Sequence, residues 1–563
     1  MRTIPSCLVL AALAALGGCG GASSPNPPPA TVVTPPSAVP EPAPSALALQ
    51  DPLSAATFLS RATFGGSAHQ ADALVGTQAG AFLQAEFAKP ITPMLPVFEA
   101  DALGEGRLTP SDFNGAAWNA LIHNDDQLRQ RIVFALSQIV VANDQNPAGM
   151  AFYYDTLQEH AFGNYRDLLH DVTYVPVMAR WLTYLHNRKS FPNQGNTPDE
   201  NYAREILQLF SIGTEMLHID GTPQQGADGG PVETYTVDDV VGLARVFTGL
   251  GRKSAGNFYH SDPDGEFRPL EIDPFYHSGA EKRFLGQAIP AGTPGEDSIA
   301  QAIDIIFEHP NVAPFVSRQL IQRFTSSSPE PAYVERVARA FEEGAFTDAD
   351  GRVFGTGERG DLAATLAAIL LDESLFEGSR PDAGKLREPA LQFVHWARAY
   401  AEQDADAQLE ASLRYGYLTE TSLRQSPFRA PSVFNFYRPG YTARGSASAE
   451  AGMSAPEFQI LNEAQFVDLQ NFWADYVFDQ SHVTTVDGFR PDYADEVALA
   501  GDIPALIDYL DTYLVGGDLS AATRQRMTEA LEAVDPAQDG GDLLRAQLGV
   551  FMAVTSPAFA VDL

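Results

Sequence analysis

Apolar residues recur along this chain at the spacing of an α-helix. Between positions 128 and 140 they return every three or four residues and therefore share one face. Similar apolar stripes occupy these further segments: 157–169, 202–212, 237–247, 299–307, 334–341, 362–371 and 386–401. The pattern predicts a mainly α fold, built as a multi-helix globular domain.

One helix start is marked clearly by its local sequence. Thr197 can cap a helix, Pro198 suits the first helical position, and Glu200 can return a hydrogen bond to the backbone of Thr197. Gly213 can end the helix because glycine readily adopts the left-handed conformation. These signals predict a helix over 198–212.

The helical pattern loosens after this helix. Asp-Gly pairs separate short runs of residues there, so we expect an insertion of loops and short hairpins around one helix over 237–250. The whole domain is predicted to span 51–563. Its predicted parts are a helical segment, the loop-rich insertion, a second helical segment and C-terminal helices: 51–214, 215–295, 296–445 and 446–563.

The N-terminus has the pattern of a bacterial lipoprotein signal peptide. Arg2 precedes a short apolar stretch, and small residues come directly before Cys19. We therefore expect residues 1–18 to be removed and Cys19 to carry lipid. The alternative is an ordinary signal peptide in which Cys19 occurs by chance.

A tether is predicted between the lipid and the domain. Nine prolines fall between Ser24 and Pro44, a composition that favours an extended chain, and we assign 19–50 to this disordered, Pro/Ala-rich tether. Cys7 is the only other cysteine and lies in the segment to be removed. Disulfides, cysteine-bound zinc and cysteine nucleophiles are therefore excluded from the domain.

These features predict where the protein resides. Acyl chains hold a protein at a membrane surface, and Gly20, rather than the aspartate of an inner-membrane retention signal, follows Cys19. We expect an exported, lipid-anchored protein at the outer membrane of a Gram-negative cell envelope. The formal net charge of −36 argues against nucleic acid as a partner, although an acidic surface also simply keeps a protein soluble.

Several longer motifs stand out in the domain. They are RATFG at 61–65, EHAFGN at 159–164, NRK at 187–189, PDENYARE at 198–205, ARVFTG at 244–249, GKLREP at 384–389, PSVFNF at 431–436 and SPAF at 556–559. In this order they resemble the bacterial family catalogued as domain of unknown function 1800. The resemblance covers nearly all of 51–563.

The family resemblance implies an exported protein but no activity. Its members are often encoded beside a partner that looks like the sulfatase and alkaline-phosphatase superfamily, which makes an exported sulfatase-like protein a possible partner. No catalytic residue is carried over, because none is established for the family. The sequence itself has no Gly-x-Ser-x-Gly elbow, His-Glu-x-x-His pair or Walker loop.

Polar residues nevertheless crowd some of the apolar helices. His160 and Asn164 are expected to share a helix face, opposite a second face with Arg204 and Glu205. A pocket formed there would have His160 or Glu205 as the base and the arginines as clamps for an anionic group. The candidate pocket residues are His160, Arg204, Glu205, Arg245 and His277.

A purely structural role is the alternative for this cluster. Glu200 and Arg204 are spaced as an i, i+4 ion pair, and Glu205 could pair with Arg245 between two helices. Such networks also concentrate charge in helical proteins. The same sequence therefore fits a catalytic pocket and a set of ion pairs.

The sequence requires no cofactor, but two kinds of metal site are considered. A transition-metal site would use His160, Glu205 and His277, because imidazole and carboxylate suit zinc or iron. Calcium is considered at 262–266 and 348–351, where ordinary Asp-Gly turns are the alternative.

Two functions remain open at this point. In the first, the protein is a surface-tethered binding or assembly module that works with a sulfatase-like exported partner. In the second, it is an envelope hydrolase, with or without a metal, that uses the His/Glu/Arg pocket. Since no standard catalytic motif is present, the sequence favours the first.

Overall fold

The part of the chain that the structure describes is mainly helical, which confirms the predicted fold class. The computed structural model describes residues 47–104, 106–252, 257–260, 262, 264–376, 384–400, 423–478 and 491–562. The predicted signal peptide, Cys19 and most of the predicted tether lie outside these residues. No helix in the described ranges has both the length and the apolar character needed to cross a membrane.

The helices follow one another through most of the chain. The first eleven are α1 (Pro52–Ala62), α2 (Ala68–Leu74), α3 (Ala79–Phe87), α4 (Leu95–Ala102), α5 (Pro110–His123), α6 (Gln127–Ser137), α7 (Pro147–His160), α8 (Tyr165–Thr173), α9 (Pro176–Trp181), α10 (Asn201–Glu205) and α11 (Val237–Ala244). The later ones are α12 (Gly295–Phe307), α13 (Val312–Phe324), α14 (Pro331–Glu343), α15 (Leu362–Leu370), α16 (Pro389–Tyr400), α17 (Ala447–Glu450), α18 (Glu463–Phe478), α19 (Ala494–Leu499), α20 (Ile503–Leu510), α21 (Ala521–Glu532), α22 (Gly541–Val554) and α23 (Pro557–Ala560).

Short antiparallel pairs of strands and irregular helical turns connect the helices. The strand pairs are β1 (Leu250–Gly251) with β2 (Glu271–Ile272), β3 (Lys282–Phe284) with β4 (Gln287–Ile289), β5 (Phe346–Thr347) with β6 (Val353–Phe354), and β7 (Lys385–Leu386) with β8 (Val561–Asp562). The irregular turns are π-helical at Ile206–Ser211 and Asp511–Val515, and 3-10 at Glu373–Leu375 and Pro456–Gln459.

The predicted insertion consists of loops and short hairpins around one helix, α11, as expected. The helix ends at Ala244 rather than at 250, because Leu250 pairs with Ile272 in the β1–β2 hairpin. Thr236 caps α11 in a reciprocal box with Asp239, and the Asp239 carboxylate also accepts a hydrogen bond of 2.7 Å from the backbone of Leu285. Gly242 lets the β3–β4 hairpin lie directly on the helix, because a Cβ there would be 1.7 Å from the Arg283 carbonyl oxygen. The hairpin is thereby held against α11.

The prediction of a helix over 198–212 is wrong at its start. The helix begins at Asn201, and its cap residue, Glu200, makes no side-chain capping bond. The backbone N–H of Asp199 instead donates to the Asn187 side chain at 2.9 Å, and the Asp199 carboxylate accepts from Thr183. These tertiary hydrogen bonds hold Asp199 in the loop that precedes the helix, so the helix starts later than predicted. Gly213 ends the π-helical continuation in the left-handed conformation, as predicted.

The expectation of one helix face shared by His160 and Asn164 is also wrong. Helix α7 ends at His160 and α8 begins at Tyr165, with Asn164 as its cap: the Asn164 side chain accepts from the Arg166 backbone at 2.9 Å. The Asn164 amide also donates to the Arg359 carbonyl. The apolar spacing continues across 157–169 although the backbone turns between the two residues.

Two apolar cores lie on either side of α6. The larger core draws on α1 to α15 and includes Ile132 and Leu136 of α6. The second core draws on α16 and the C-terminal helices and includes Phe134 of α6, together with Trp396 and Trp473. Since Phe134 projects from the other face of α6, this one helix contributes to both cores.

Candidate functional site

His160 lies at the end of α7 and forms a polar bridge with α8. Its Nε2 is 2.8 Å from one oxygen of Asp171, and His170 Nδ1 is 2.7 Å from the other. Burial alone would raise the pKa of Asp171, but the hydrogen bonds and charges of the two imidazoles outweigh it and hold that pKa well below its usual range. The ionised carboxylate of Asp171 therefore binds both His160 and His170.

Arg204 and Glu205 are neighbours with different surroundings. Arg204 pairs with Glu200 at 3.3 Å on the surface, as the structural alternative predicted. Glu205 is 6 % exposed, and its Oε2 has no hydrogen-bond partner. Burial raises the pKa of Glu205, and the charge of Arg204 offsets this only in part.

Arg245 and His277 flank the base of the β3–β4 hairpin. Arg245 donates to the Glu281 carbonyl at 3.3 Å, so the predicted pair with Glu205 does not form. His277 Nδ1 is 2.8 Å from the Thr248 carbonyl, which places the ring proton there and leaves the buried Nε2 without a partner. Burial lowers the pKa of His277.

Lys282, beside His277 in sequence, was not among the predicted site residues. It is fully buried, its ammonium donates to Ser298 at 3.0 Å, and burial lowers its pKa. Its place on β3, which lies against α11, explains the burial. The sequence signal for it is a further resemblance to the same family, in which His277 is followed by Lys282, Phe284, Leu285 and Gly286.

The structure does not bring the predicted residues into one pocket. His160 belongs to the Asp171 bridge, Glu205 lies beside Arg204, and His277 packs beneath the hairpin. Within the described ranges, no group of three or more His, Cys, Asp or Glu side chains is placed to hold a metal ion. The metal alternative built on His160, Glu205 and His277 therefore lacks its ligand set.

Arginine side chains pair with carboxylates in both segments that were considered for calcium. At 348–351 the chain makes the β5–β6 turn, and Arg352 pairs with both Asp348 and Asp350. In the segment 262–266, Glu266 pairs with Arg180 and with Arg252. Ordinary turns account for both segments.

A Gly-x-Gly-x-x-Gly segment at 355–360 precedes α15, a spacing known from dinucleotide-binding loops. Here it follows a two-residue hairpin strand rather than a strand of a parallel sheet. The Asp361 carboxylate caps α15 by accepting from Ala364 at 2.9 Å and also accepts from Thr356. A carboxylate thus occupies the place that a phosphate would need.

A large cleft among the described residues lies elsewhere. Its volume is about 1470 Å³, and its walls come from α1 to α5, the end of α16, α19 and α20. None of the predicted site residues lines it. Its acidic lining residues are Glu86, Asp112, Asp125, Asp492, Asp495 and Glu496.

The lysine and the arginine that line the cleft are both engaged by other groups. Lys89 pairs with Glu86. Arg398 is buried and donates to the Gly65 carbonyl at 2.8 Å and to the Ile122 carbonyl at 2.6 Å. The exposed carboxylates, of which Asp495 is one, therefore dominate the charge of the cleft.

Glu496 differs from the other carboxyl groups of the cleft. It is 2 % exposed, and burial raises its pKa to about 7, with the negative charges of Asp495 and Asp492 adding to the shift. A hydrogen bond with Tyr400 opposes the shift. Near neutral pH the cleft thus holds one carboxyl group able to give or take a proton.

Replacing Glu496 by glutamine is expected to remove a pH-dependent loss of stability. Because its pKa in the folded chain, about 7, is above the usual value of 4.5 for a glutamate side chain, its stabilising contribution is full below about pH 4.5 and is lost as the pH rises through about 7. The advantage of Glu496→Gln in free energy of unfolding should therefore grow between about pH 5 and 8, to as much as about 3 kcal/mol. Urea titrations across this range measure it, with Glu233→Gln, at an exposed position outside the cleft, as control. A pH-independent difference would contradict the assignment.

Sequence reasoning missed the cleft because its walls are distant in the chain. The one local signal was the acidic run Asp492-Tyr493-Ala494-Asp495-Glu496, which by itself resembles an ordinary solvated helix start. Nothing in that run shows that Glu496 is buried while Asp495 is exposed.

Comparison with known proteins yields one match. Residues 57–561 match the model of a family described as a protein of unknown function, DUF1800. No curated protein and no solved structure matches the chain.

Proposed function

The chain belongs to the DUF1800 family, whose description names no activity, and we propose from the geometry of its cleft that it is a binding protein of the cell envelope. The occupant of the cleft is a positively charged, extended segment of an exported partner. The acidic cleft of about 1470 Å³ is the observation that carries the proposal.

Size favours a polymer segment over a small metabolite. Pockets for small molecules have volumes of roughly 300–1,000 Å³, so this cleft has room for several residues of a chain. Val97 lines it with 65 % of its surface exposed, which offers an apolar contact beside the carboxylates. An extended segment with cationic and apolar side chains suits both features.

Hydrogen-bonding capacity also favours a donor-rich occupant. The cleft is lined by Gln127 and Asn119, whose side-chain oxygens are buried and have no hydrogen-bond partner. Gln127 donates its amide N–H to the Asn124 carbonyl, which orients its oxygen as the spare acceptor. Lysine and arginine side chains bring only donors, so they match these acceptors as well as the carboxylates.

The proposal places this cleft outside the cell membrane. Lipid on Cys19 and the tether over 19–50 would hold the domain at the outer membrane while the cleft engages an exported protein, for which the sulfatase-like partner is our first choice. The opposite arrangement, with an anionic surface as the partner, is disfavoured by the net charge of −36.

Titration of the full chain with decalysine tests the binding function. We expect saturable binding that weakens with added salt, and an affinity about fivefold or more lower in the double variant Asp492→Asn/Asp495→Asn. Glu233→Gln/Asp238→Asn removes the same charge from exposed positions outside the cleft and should bind like the unaltered chain. Equal losses in the two double variants would show only a general attraction and would overturn the proposal.

Hydrolysis in the same cleft is the second candidate function. The observation in its favour is Glu496, whose pKa of about 7 suits a proton donor beside the carboxyl group of Asp495. If the bound peptide is cleaved, Glu496→Gln should abolish the cleavage seen by mass spectrometry and leave decalysine affinity unchanged. Cleavage that persists in this variant would remove the proton-donor role.

A further inference from the structure

Three family motifs that are far apart in sequence meet between the two cores. Arg61 of the RATFG motif pairs with Asp562 at 2.8 Å. Arg387 of the GKLREP motif donates a hydrogen bond to the carbonyl of Phe559, which belongs to the SPAF motif. Strand β7 of GKLREP pairs with β8, which follows SPAF. A Cβ at Gly65 would lie 2.4 Å from the His395 ring, so RATFG also closes on this place.

A small cavity lies at this meeting point. Its charged and imidazole lining residues are Arg131, Lys385, Arg387, His395 and Asp562, the last already paired with Arg61. Its apolar lining includes Phe324 of the larger core and Leu391 of the second. Its volume of about 10 Å³ admits one body of about the size of a water molecule. Polyatomic anions such as phosphate or sulfate are too large for it.

The two arginines of this cavity have buried N–H groups without a hydrogen-bond partner. Arg131 is 2 % exposed, and its Nε and Nη1 have no hydrogen-bond partner. Arg387 is 6 % exposed, and its Nε is likewise unpaired. Among the residues that the structure describes, neither guanidinium forms an ion pair.

The nearby carboxylates are already bound to other groups. Glu457 pairs with Lys385, and Asp562 pairs with Arg61. Glu388 accepts hydrogen bonds from Gln138 and from Gln425. The negative charge of Glu388 acts on Arg131 but is shared with the buried Arg323. The charge of Asp562 acts on Arg387 but is already paired with Arg61, so an excess of buried positive charge remains.

Such an excess is unfavourable unless something compensates it. Burial lowers the pKa of Arg131 and of Arg387 to about 10, so both remain charged at neutral pH. An isolated buried charge costs several kcal/mol, and a water molecule in the cavity would supply a dipole but no counter-charge. His395 accepts from Arg387 through Nδ1 at 2.7 Å, which leaves its proton on Nε2 as a further donor.

We propose that this cavity binds one monatomic anion, chloride in the cell envelope, between the unpaired guanidinium N–H groups of Arg131 and Arg387. The ion neutralises the buried charge and links the two cores at the point where the motifs meet. This site is separate from the acidic cleft and does not depend on the proposed binding function.

Bromide replacement locates the ion directly. In crystals of the protein grown with sodium bromide, an anomalous peak is expected within hydrogen-bonding distance of both Arg131 and Arg387. Bromide peaks confined to the surface, in crystals with an ordered core, would overturn the proposal.

Stability measurements test the same site in solution. At constant ionic strength, replacing sodium gluconate by sodium chloride should raise the melting temperature saturably, by about 3 °C at a hundredfold excess over the dissociation constant. Arg131→Met should lose this chloride response. Arg545→Met is the matched control, because Arg545 is equally buried but donates to the carbonyls of Leu531, Ala500 and Val534; it should lose stability and keep the response. An identical melting temperature in both salts for the unaltered chain would contradict the site.

Discussion

Replacing Lys385 by methionine is expected to lower the free energy of unfolding by about 3–5 kcal/mol. The Lys385 side chain is 2 % exposed and pairs with Glu457, whose side chain is fully buried. Ser327 donates a further hydrogen bond to Glu457 at 2.9 Å. Methionine fills a similar volume but leaves a carboxylate without its cation in a dry interior. Urea unfolding followed by circular dichroism measures the loss.

Two further variants separate the ion pair from general damage. Lys385→Met with Glu457→Leu removes both charges and should recover most of the lost stability, because an apolar pair of similar volume replaces a buried ion pair at little cost. Arg339→Ala breaks an exposed pair with Glu335 and should change stability by less than about 1 kcal/mol. If the double variant were as unstable as Lys385→Met, the unpaired Glu457 carboxylate would not be the cause of the lost stability.

Replacing Trp473 by alanine is expected to cost about 3–5 kcal/mol of unfolding free energy. Trp473 is fully buried in the second core, with its ring centroid 5.4 Å from that of Phe472, 5.9 Å from Trp396 and 6.1 Å from Phe559. Alanine removes these contacts and leaves a large cavity. Chemical denaturation of the purified chain gives the difference.

Phe466 on the same helix, α18, provides the control. Its side chain is 48 % exposed, so Phe466→Ala removes an aromatic ring without opening a cavity, and stability should change by roughly 0.5 kcal/mol or less. Similar losses for the two variants would mean that α18 does not pack as the structure shows.

The helical fold was predictable because burial imposes a regular spacing on the sequence. Val240, Leu243 and Ala244 are the buried face of α11, and their spacing alone indicates that helix. The helix end at Gly213 was equally predictable, because few other residues adopt the left-handed backbone conformation without strain.

Helix ends were less predictable where tertiary hydrogen bonds compete with local signals. Pro198 and Glu200 favour a helix start, yet Asn187 binds the backbone of Asp199 and delays the start to Asn201. Asn164 lies within a continuous apolar stripe but caps α8, because its side chain binds both Arg166 and Arg359. In both places the deciding partner is remote in sequence or outside the apolar pattern.

The candidate site was hardly predictable, because burial decides its chemistry. Glu205 and Glu496 both follow a charged residue in a helix, but only Glu496 lines the large cleft. Arg131 looks like an ordinary polar position in an amphipathic helix, although it is buried between two cores. Such placements depend on how distant segments pack, which spacing along one helix does not encode.

Hydrogen–deuterium exchange of the full chain, with and without decalysine, tests the cleft as the binding site most directly. We expect slower exchange in α5 and α19, which line the cleft, and unchanged exchange in α14, which lies outside it. Equal protection of α14, or no protection of α5 and α19 at saturating peptide, would contradict it.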